Sequence, residues 1–295
     1  MDPSLRDRAI GLYDAFTHDH RDRRTLLRQM TALVGSVAAA EALIGGIAAS
    51  PAAAALTEPT DPRLVTRKGS YGIGGGAQMT GYFAAPRNPG RAIGAVMVIH
   101  ENRGLQPHIE DVARRVALAG FFAVAPDFLS AQGGTPADEN EARDLIGKAD
   151  MNAVLAGAVA TVGRLAKLSR GTGKVGTVGF CWGGALVDRV ALAAGPGLAA
   201  AVSYYGPAPD AAEAPKLNVP LMLHYAGKDA RVAQTGVPWV AALKAAGKPV
   251  EAFDYPGVDH AFNNDTSAER YDKAAADLAW GRTIDFFHRH LDARA

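Results

Sequence analysis

From residue 66 onward the chain alternates short apolar runs with amphipathic stretches, and this alternation most restricts what it can fold into. The apolar runs cover 80–85, 95–100, 121–125, 174–180, 200–205, 220–225 and 250–255. Each is about strand length, and several lack polar alternation, which suits strands buried on both faces. Between them, 107–119, 152–168, 182–194, 233–246 and 267–290 carry apolar residues at helical spacing. The alternation predicts an α/β fold with a mostly parallel sheet flanked by helices on both faces. The one or two strands before residue 95 join through Gly-rich turns at 74–76 and are expected to be antiparallel. A chain of 295 residues, 48% hydrophobic, suffices for one such domain with a full core.

Residues 1–56 read differently. The first 30 are polar, with Arg21, Arg23, Arg24 and Arg28 closely spaced, and 30–55 are small and apolar. Asp22-Arg-Arg-Thr-Leu-Leu-Arg28 followed by that stretch resembles a twin-arginine export signal with a cleavage site at 53–55. Glu41 interrupts the apolar run, making it a poor membrane span, and the charged region before the arginines is long. The competing reading is a retained helical arm, packed on the body or on a second copy as a homodimer. The first reading places the protein in the periplasm or beyond, the second in the cytoplasm, and the sequence leaves both open. Residues 57–65, with Pro59 and Pro62, read as a linker, and 66–293 as the catalytic domain.

The charge balance excludes some partners. Thirty-one basic residues against 30 acidic give a net charge of +1, with no footprint for nucleic acid and no long basic run for an anionic membrane. The single cysteine, Cys181, excludes an intrachain disulfide and a zinc site of several thiolates. The histidines show no metal-ligand spacing, and His288 and His290 read as solvent-facing.

A solitary cysteine is more often a small buried hydrophobe than a nucleophile. Its surroundings reverse that expectation. Lys174-Val-Gly-Thr-Val-Gly-Phe-Cys-Trp-Gly-Gly184 runs from a buried strand through Gly-x-Cys-x-Gly into a helix. This is the nucleophile elbow of α/β-hydrolases with Cys in place of Ser. The glycines let neighbouring backbones approach a strained turn, and the helix N-terminus favours a thiolate. The backbone N–H of Trp182 is then expected to hold an oxyanion. In this fold the chain order is nucleophile, acid, histidine. Asp229 follows the run at 220–225 through Ala226-Gly-Lys, and His260 follows the run at 250–255 through Pro256-Gly-Val-Asp. Both fall on the edge of the sheet where such residues act.

With these residues placed, the chain resembles the dienelactone hydrolase (carboxymethylenebutenolidase) family over about residues 66–293. The likeness rests on Val98-Ile-His-Glu-Asn-Arg-Gly104, Ala125-Pro-Asp127, Gly179-Phe-Cys-Trp-Gly183, Tyr204-Tyr-Gly206, Gly227-Lys-Asp229 and Gly257-Val-Asp-His-Ala-Phe262. It implies an α/β-hydrolase fold, catalytic Cys181, Asp229 and His260, and a role for Glu101 in activating the nucleophile. Asn102 then supplies a second oxyanion N–H beside Trp182. Arg103, Tyr204 and Asn264 are expected around a small ester or lactone, with no metal or organic cofactor. Two departures bear on the substrate. Family members acting on dienelactone carry an Arg where this chain has Asn264. A second family Arg falls near Glu139, with Arg143 the closest basic residue. A broader carboxylesterase or thioesterase for uncharged substrates is therefore the alternative. A thiol-based binding or redox-sensing protein is the rival from another class, but losing Asp229 or His260 would be its signature, and both are present.

Overall fold

The computed structural model describes residues 3–18, 22–48 and 56–293. Strands β1 (Leu64–Gly74), β2 (Ala77–Pro86), β3 (Ile93–Ile99), β4 (Phe122–Pro126), β5 (Gly171–Phe180), β6 (Leu198–Tyr204), β7 (Leu221–Ala226) and β8 (Val250–Tyr255) form one sheet. Its order is β1-β2-β4-β3-β5-β6-β7-β8. β1 and β2 form an antiparallel hairpin and β2 meets β4 antiparallel, while every pairing from β4 through β3 to β8 is parallel.

The absence of polar alternation in the central strands follows from two cores. In β3, Val96 and Val98 face one core, while Ala95, Met97 and Ile99 face the other. The first core is covered by α4 (Pro107–Leu118) and α9 (Lys273–Leu291), through Ile109, Val112, Val116, Ala279, Phe286 and Phe287. The second is covered by α6 (Met151–Leu165), α7 (Trp182–Ala193) and α8 (Ala230–Ala245), through Ala158, Val162, Leu186, Val190, Trp239 and Leu243.

β1 is the expected strand before the turn at 74–76, antiparallel to β2, although it begins inside the stretch read as a linker and its half-exposed face carries little apolar patterning. Thr57 in that stretch is pinned to α4: its N–H and hydroxyl donate to Asp111 Oδ1 at 2.8 and 2.5 Å. The short polar helix α5 (Glu139–Gly147), capped by Asp138, also carries too few apolar residues to stand out. α9 starts at Lys273 rather than 267 because the Asp272 side chain caps it, accepting from Ala275 N at 2.9 Å. His288 and His290 are half-buried on α9, and His288 Nδ1 bonds Asp292 Oδ2 at 3.0 Å.

The N-terminal segment forms α1 (Pro3–His18), α2 (Arg23–Val34) and α3 (Val37–Ile47). They enclose a small core of their own that includes Ile10, Tyr13, Phe16, Leu26, Met30, Leu43 and Ile47. The paired Arg23 and Arg24 occupy the first turn of α2, behind its Asp22 cap. The apolar run bends by 111° between α2 and α3, and no single helix among the described residues is long and apolar enough to cross a membrane. The cleavage site read at 53–55, like Arg21, lies outside the described residues.

These helices rest on the loops that leave the carboxyl ends of the strands. Arg6 pairs with Asp259 at 2.9 Å, and Lys228 with Asp7 at 3.0 Å. Ser267 Oγ donates to Ile47 O at 2.6 Å, and Asn102 Nδ2 to Thr17 O at 3.3 Å. The segment thus caps the edge of the sheet where α/β proteins place their ligands.

Candidate active site

Cys181 follows β5 directly and is the N-cap of α7, with φ 56° and ψ −114°. A non-glycine residue in this region is strained, and here packing on both sides holds it. A Cβ on Gly179 would lie 2.3 Å from Gly183 O, and one on Gly183 would lie 2.4 Å from His100 O. Only glycine lets these backbones meet, so the turn needs the spacing seen in the sequence. Cys181 N donates to Tyr204 O at 3.0 Å, fixing the elbow to β6. Trp182 is the first residue of α7, so its N–H belongs to the group that a helix leaves without an internal acceptor. Its ring stacks on His100 at 5.3 Å. His100 Nδ1 bonds the Glu101 carbonyl at 2.7 Å, and its Nε2 accepts from Phe128 N at 3.2 Å.

The other two stations converge on the thiol. Asp229, three residues beyond β7, caps α8 with Oδ1, which accepts from Val232 N at 3.0 Å. Its Oδ2 meets His260 Nδ1 at 2.5 Å. Both side chains are buried. A ring nitrogen of His260, a ring nitrogen of His18 and Cys181 Sγ all lie within 4.8 Å of one another. With Nδ1 engaged by Asp229, the nitrogen left facing the thiol is Nε2, which has no hydrogen-bond partner among the described residues. Burial opposes charge on His260, but the Cys181 sulfur and the Asp229 carboxylate outweigh it and lift the imidazole to about 10. Burial likewise would raise Asp229, and the His260 charge and hydrogen bond instead hold it below the ordinary carboxylate range.

Glu101 sits just beyond β3. Asn264 Nδ2 donates to its Oε2 at 2.8 Å, while Oε1 is buried with no partner. The ion pairs that would have made Glu101 purely structural are absent among the described residues: Arg103 bonds Glu139, and Arg115 pairs with Asp111 at 2.9 Å.

The expected substrate-contacting residues fare unevenly. Arg103 is spent on Glu139 and on the Tyr13 hydroxyl, so it is not open to a substrate anion. Tyr204 lies in the core below the site, with its hydroxyl on Thr283 at 2.7 Å. Asn264 is buried and holds Glu101. Their place is taken by Tyr205 and Arg231, which sequence reasoning passed over, and by Arg143, noted there only as the basic residue closest to the second family Arg. Tyr205, at φ 39°, sets its ring 5.0 Å from that of His260, and its hydroxyl is buried without a partner. Burial, then the neighbouring Glu101 and Cys181, push its phenol well above the ordinary range. Arg143 and Arg231 line the pocket of about 320 Å³ that contains Cys181, Asn102 and Trp182. Each has a buried N–H with no partner.

The largest departure is His18. It ends α1, some 160 positions before Cys181, yet its Nε2 lies 4.0 Å from the Cys181 Sγ. Its ring meets that of His260 edge-on at 4.9 Å. Burial and the His260 charge lower its pKa, so it is neutral. No local motif marks it, because it reaches the site through the packing of a segment that reads as a leader.

Residues 79–291 match the family described as the Dienelactone hydrolase family. An Escherichia coli K12 protein provisionally named carboxymethylenebutenolidase is 33% identical over 267 residues, covering 82% of this chain and 94% of its own. One of the same provisional name from Methylorubrum extorquens is 29% identical, covering 91% of this chain and 97% of its own. Residues 56–293 alone cannot supply that share, so the match extends into the N-terminal segment. The crystal structure of a provisionally named dienelactone hydrolase from Klebsiella pneumoniae superposes with TM-score 0.69 at 30% identity, covering 77% of this chain and 99% of that one. On its fold, its elbow and these matches, the chain is a hydrolase belonging to the dienelactone hydrolase family.

Proposed function

We propose that this hydrolase cleaves an ester or lactone by way of a Cys181 thioester. The thiolate attacks the carbonyl carbon, and the N–H groups of Trp182 and Asn102 receive the tetrahedral oxyanion. His260 protonates the departing oxygen, then takes a proton from the water that cleaves the thioester. Asp229 keeps the proton on Nδ1 and stabilises the imidazolium. Glu101, held on one oxygen by Asn264, has its other oxygen open to take part in activating the thiol. The observation that carries this reading is a buried Asp229–His260 bond whose free Nε2 faces a thiol on a strained elbow.

Arg143 and Arg231, two guanidinium groups lining the thiol pocket, favour a substrate that also bears a carboxylate, as a dienelactone does. Asn264, standing where the family places an Arg, favours the alternative of neutral esters. Assay of the full chain on dienelactone and on neutral p-nitrophenyl esters decides between them. Cys181→Ala is expected to abolish turnover of every substrate, and Cys181→Ser to keep part of it. Full activity in Cys181→Ala would remove the thioester mechanism. The contact of His18 with Cys181 also supports the retained arm over an export signal. The native protein should then begin at Met1 or Asp2, and a start after residue 55 would reverse this.

A further inference from the structure

His18, Cys181 and His260 arrive from α1, from the β5–α7 elbow and from the loop after β8, and their donor atoms cluster within 4.8 Å. We propose that these three side chains form a binding site for a borderline-soft divalent cation, Zn²⁺ being the simplest case. Its occupation masks the nucleophile and fastens the N-terminal helices over the pocket. The proposal rests on the three side chains rather than on the hydrolase reading.

The donor set fits. One thiolate and two imidazoles is an N₂S combination that Zn²⁺ accepts and hard cations such as Mg²⁺ do not favour. With Zn–S near 2.3 Å and Zn–N near 2.0 Å, tetrahedral donors stand roughly 3.3–3.6 Å apart, so the cluster must contract by only about 1 Å. The Cys181–His18 separation is already 4.0 Å. Asp229 on His260 Nδ1 is the carboxylate–histidine arrangement that orients a metal-bound imidazole and strengthens it as a donor. His18 is neutral, with its lone pair open to the site. The pocket beside Cys181 leaves room for a water as fourth ligand.

The charges around the cluster permit a cation. Asp14, Glu101 and Asp229 face Arg103, Arg231 and Arg270. Arg103 is engaged by Glu139, Arg270 by Asp14 at 3.4 Å and the pocket-lining Arg143 by Asp144 at 3.4 Å, which leaves Arg231 as the opposing charge with no ion pair among the described residues. The Cys181 thiolate and Asp229 offset it. On binding, Cys181 and the two imidazoles each donate an electron pair, and His260 releases its Nε2 proton to solvent. No electron is transferred. Because the thiolate and Nε2 are then both coordinated, the occupied site cannot perform nucleophilic attack.

The physical reason to look for a ligand here is that the cluster satisfies itself poorly. The buried His260 Nε2 has no partner better than the Cys181 sulfur it faces, and among the described residues the hydrogen-bond-range contact of the His18 side chain is its 4.0 Å approach to the same sulfur. An unpaired buried polar group is costly, and a shared cation would satisfy all three at once.

The test uses metal-free full-length chain and Co²⁺ alone as a spectroscopic stand-in, followed by Zn²⁺ alone. One equivalent of Co²⁺ should give a thiolate-to-metal charge-transfer band in the near ultraviolet and tetrahedral d–d bands in the visible, both removed by Zn²⁺. Cys181→Ser, a one-atom change, should lose the charge-transfer band. His18→Gln should weaken binding at least about tenfold and remove the rise in Tm that Zn²⁺ gives the unaltered chain. Absence of the charge-transfer band in the unaltered chain overturns the proposal, as does unchanged affinity in His18→Gln. Ester turnover of the metal-free chain is scored separately, so failure of the metal site and failure of the thioester mechanism are told apart.

Discussion

Asn264 grips Glu101 by a single 2.8 Å hydrogen bond, leaving the other carboxylate oxygen buried with no partner among the described residues. A buried acceptor left open costs stability, and the proposed mechanism gives this one a use. Glu101→Gln, which keeps the shape and removes the proton-accepting charge, should lower kcat by about 10²-fold. Asn264→Leu should lower kcat less, through loss of Glu101 orientation. Steady-state kinetics on one ester checks both, and unaltered kcat in Glu101→Gln would leave that residue a structural one.

Asp229 does two jobs with two oxygens, and substitutions separate them. Asn at an N-cap still accepts from Val232 N, so Asp229→Asn should keep the cap and lose only the stabilisation that comes from the Asp229–His260 charge pairing. It should nonetheless lower kcat by about 10³-fold or more, because an amide no longer favours the Nδ1–H tautomer or the imidazolium. Asp229→Ala should lose the activity and about 1 kcal/mol of cap stabilisation as well. Urea unfolding beside kinetics tests the pair.

The His260 imidazole, ordinarily near 6.5, is lifted to about 10 by Cys181 and Asp229 against the effect of burial. A group whose folded pKa is raised binds its proton more tightly in the folded chain. Its contribution to stability is therefore complete below about pH 6.5 and fades as pH rises through about 10. Denaturation midpoints should fall across that window in the unaltered chain. In Cys181→Ala the fall should begin at lower pH, because the first of the two raising groups is gone. Asp229, held below its ordinary range, acts at the other end: its stabilisation is present above about pH 4 and is lost as acid protonates it.

Arg231 and Arg143 line the pocket that contains Cys181. If they hold a substrate carboxylate, Arg231→Ala should raise KM for a carboxylate-bearing ester by about 10–100-fold, the scale of a lost charge-assisted bond. KM for a neutral ester of the same size should move little. Equal KM changes on both esters would assign the arginine to packing.

The segments that carried the reading are those in which function is written locally. The elbow needs Gly179, Cys181 and Gly183 at fixed spacing because backbones touch there, so geometry leaves a trace in adjacent letters. Asp229 and His260 were legible because each follows a buried strand, and strands announce themselves by apolar runs. α5 was not, because a short surface helix has little apolar surface to pattern. Arg103 and Tyr204 were misplaced for a related reason. Sequence puts them at a strand edge, but which way a side chain turns there depends on partners such as Tyr13, Glu139 and Thr283.

The sequence by itself determined the α/β alternation, the tight strand–helix turn at Cys181 and the placing of Asp229 and His260 after successive strands, because each depends on residues close along the chain. Tertiary structure alone decided what surrounds the thiol. His18, Tyr205, Arg143 and Arg231 meet Cys181 from separate elements, and a segment with the composition of a leader folds back over the site. Contacts between residues far apart in the chain leave no periodicity or spacing to read, so only the folded chain brings these side chains together.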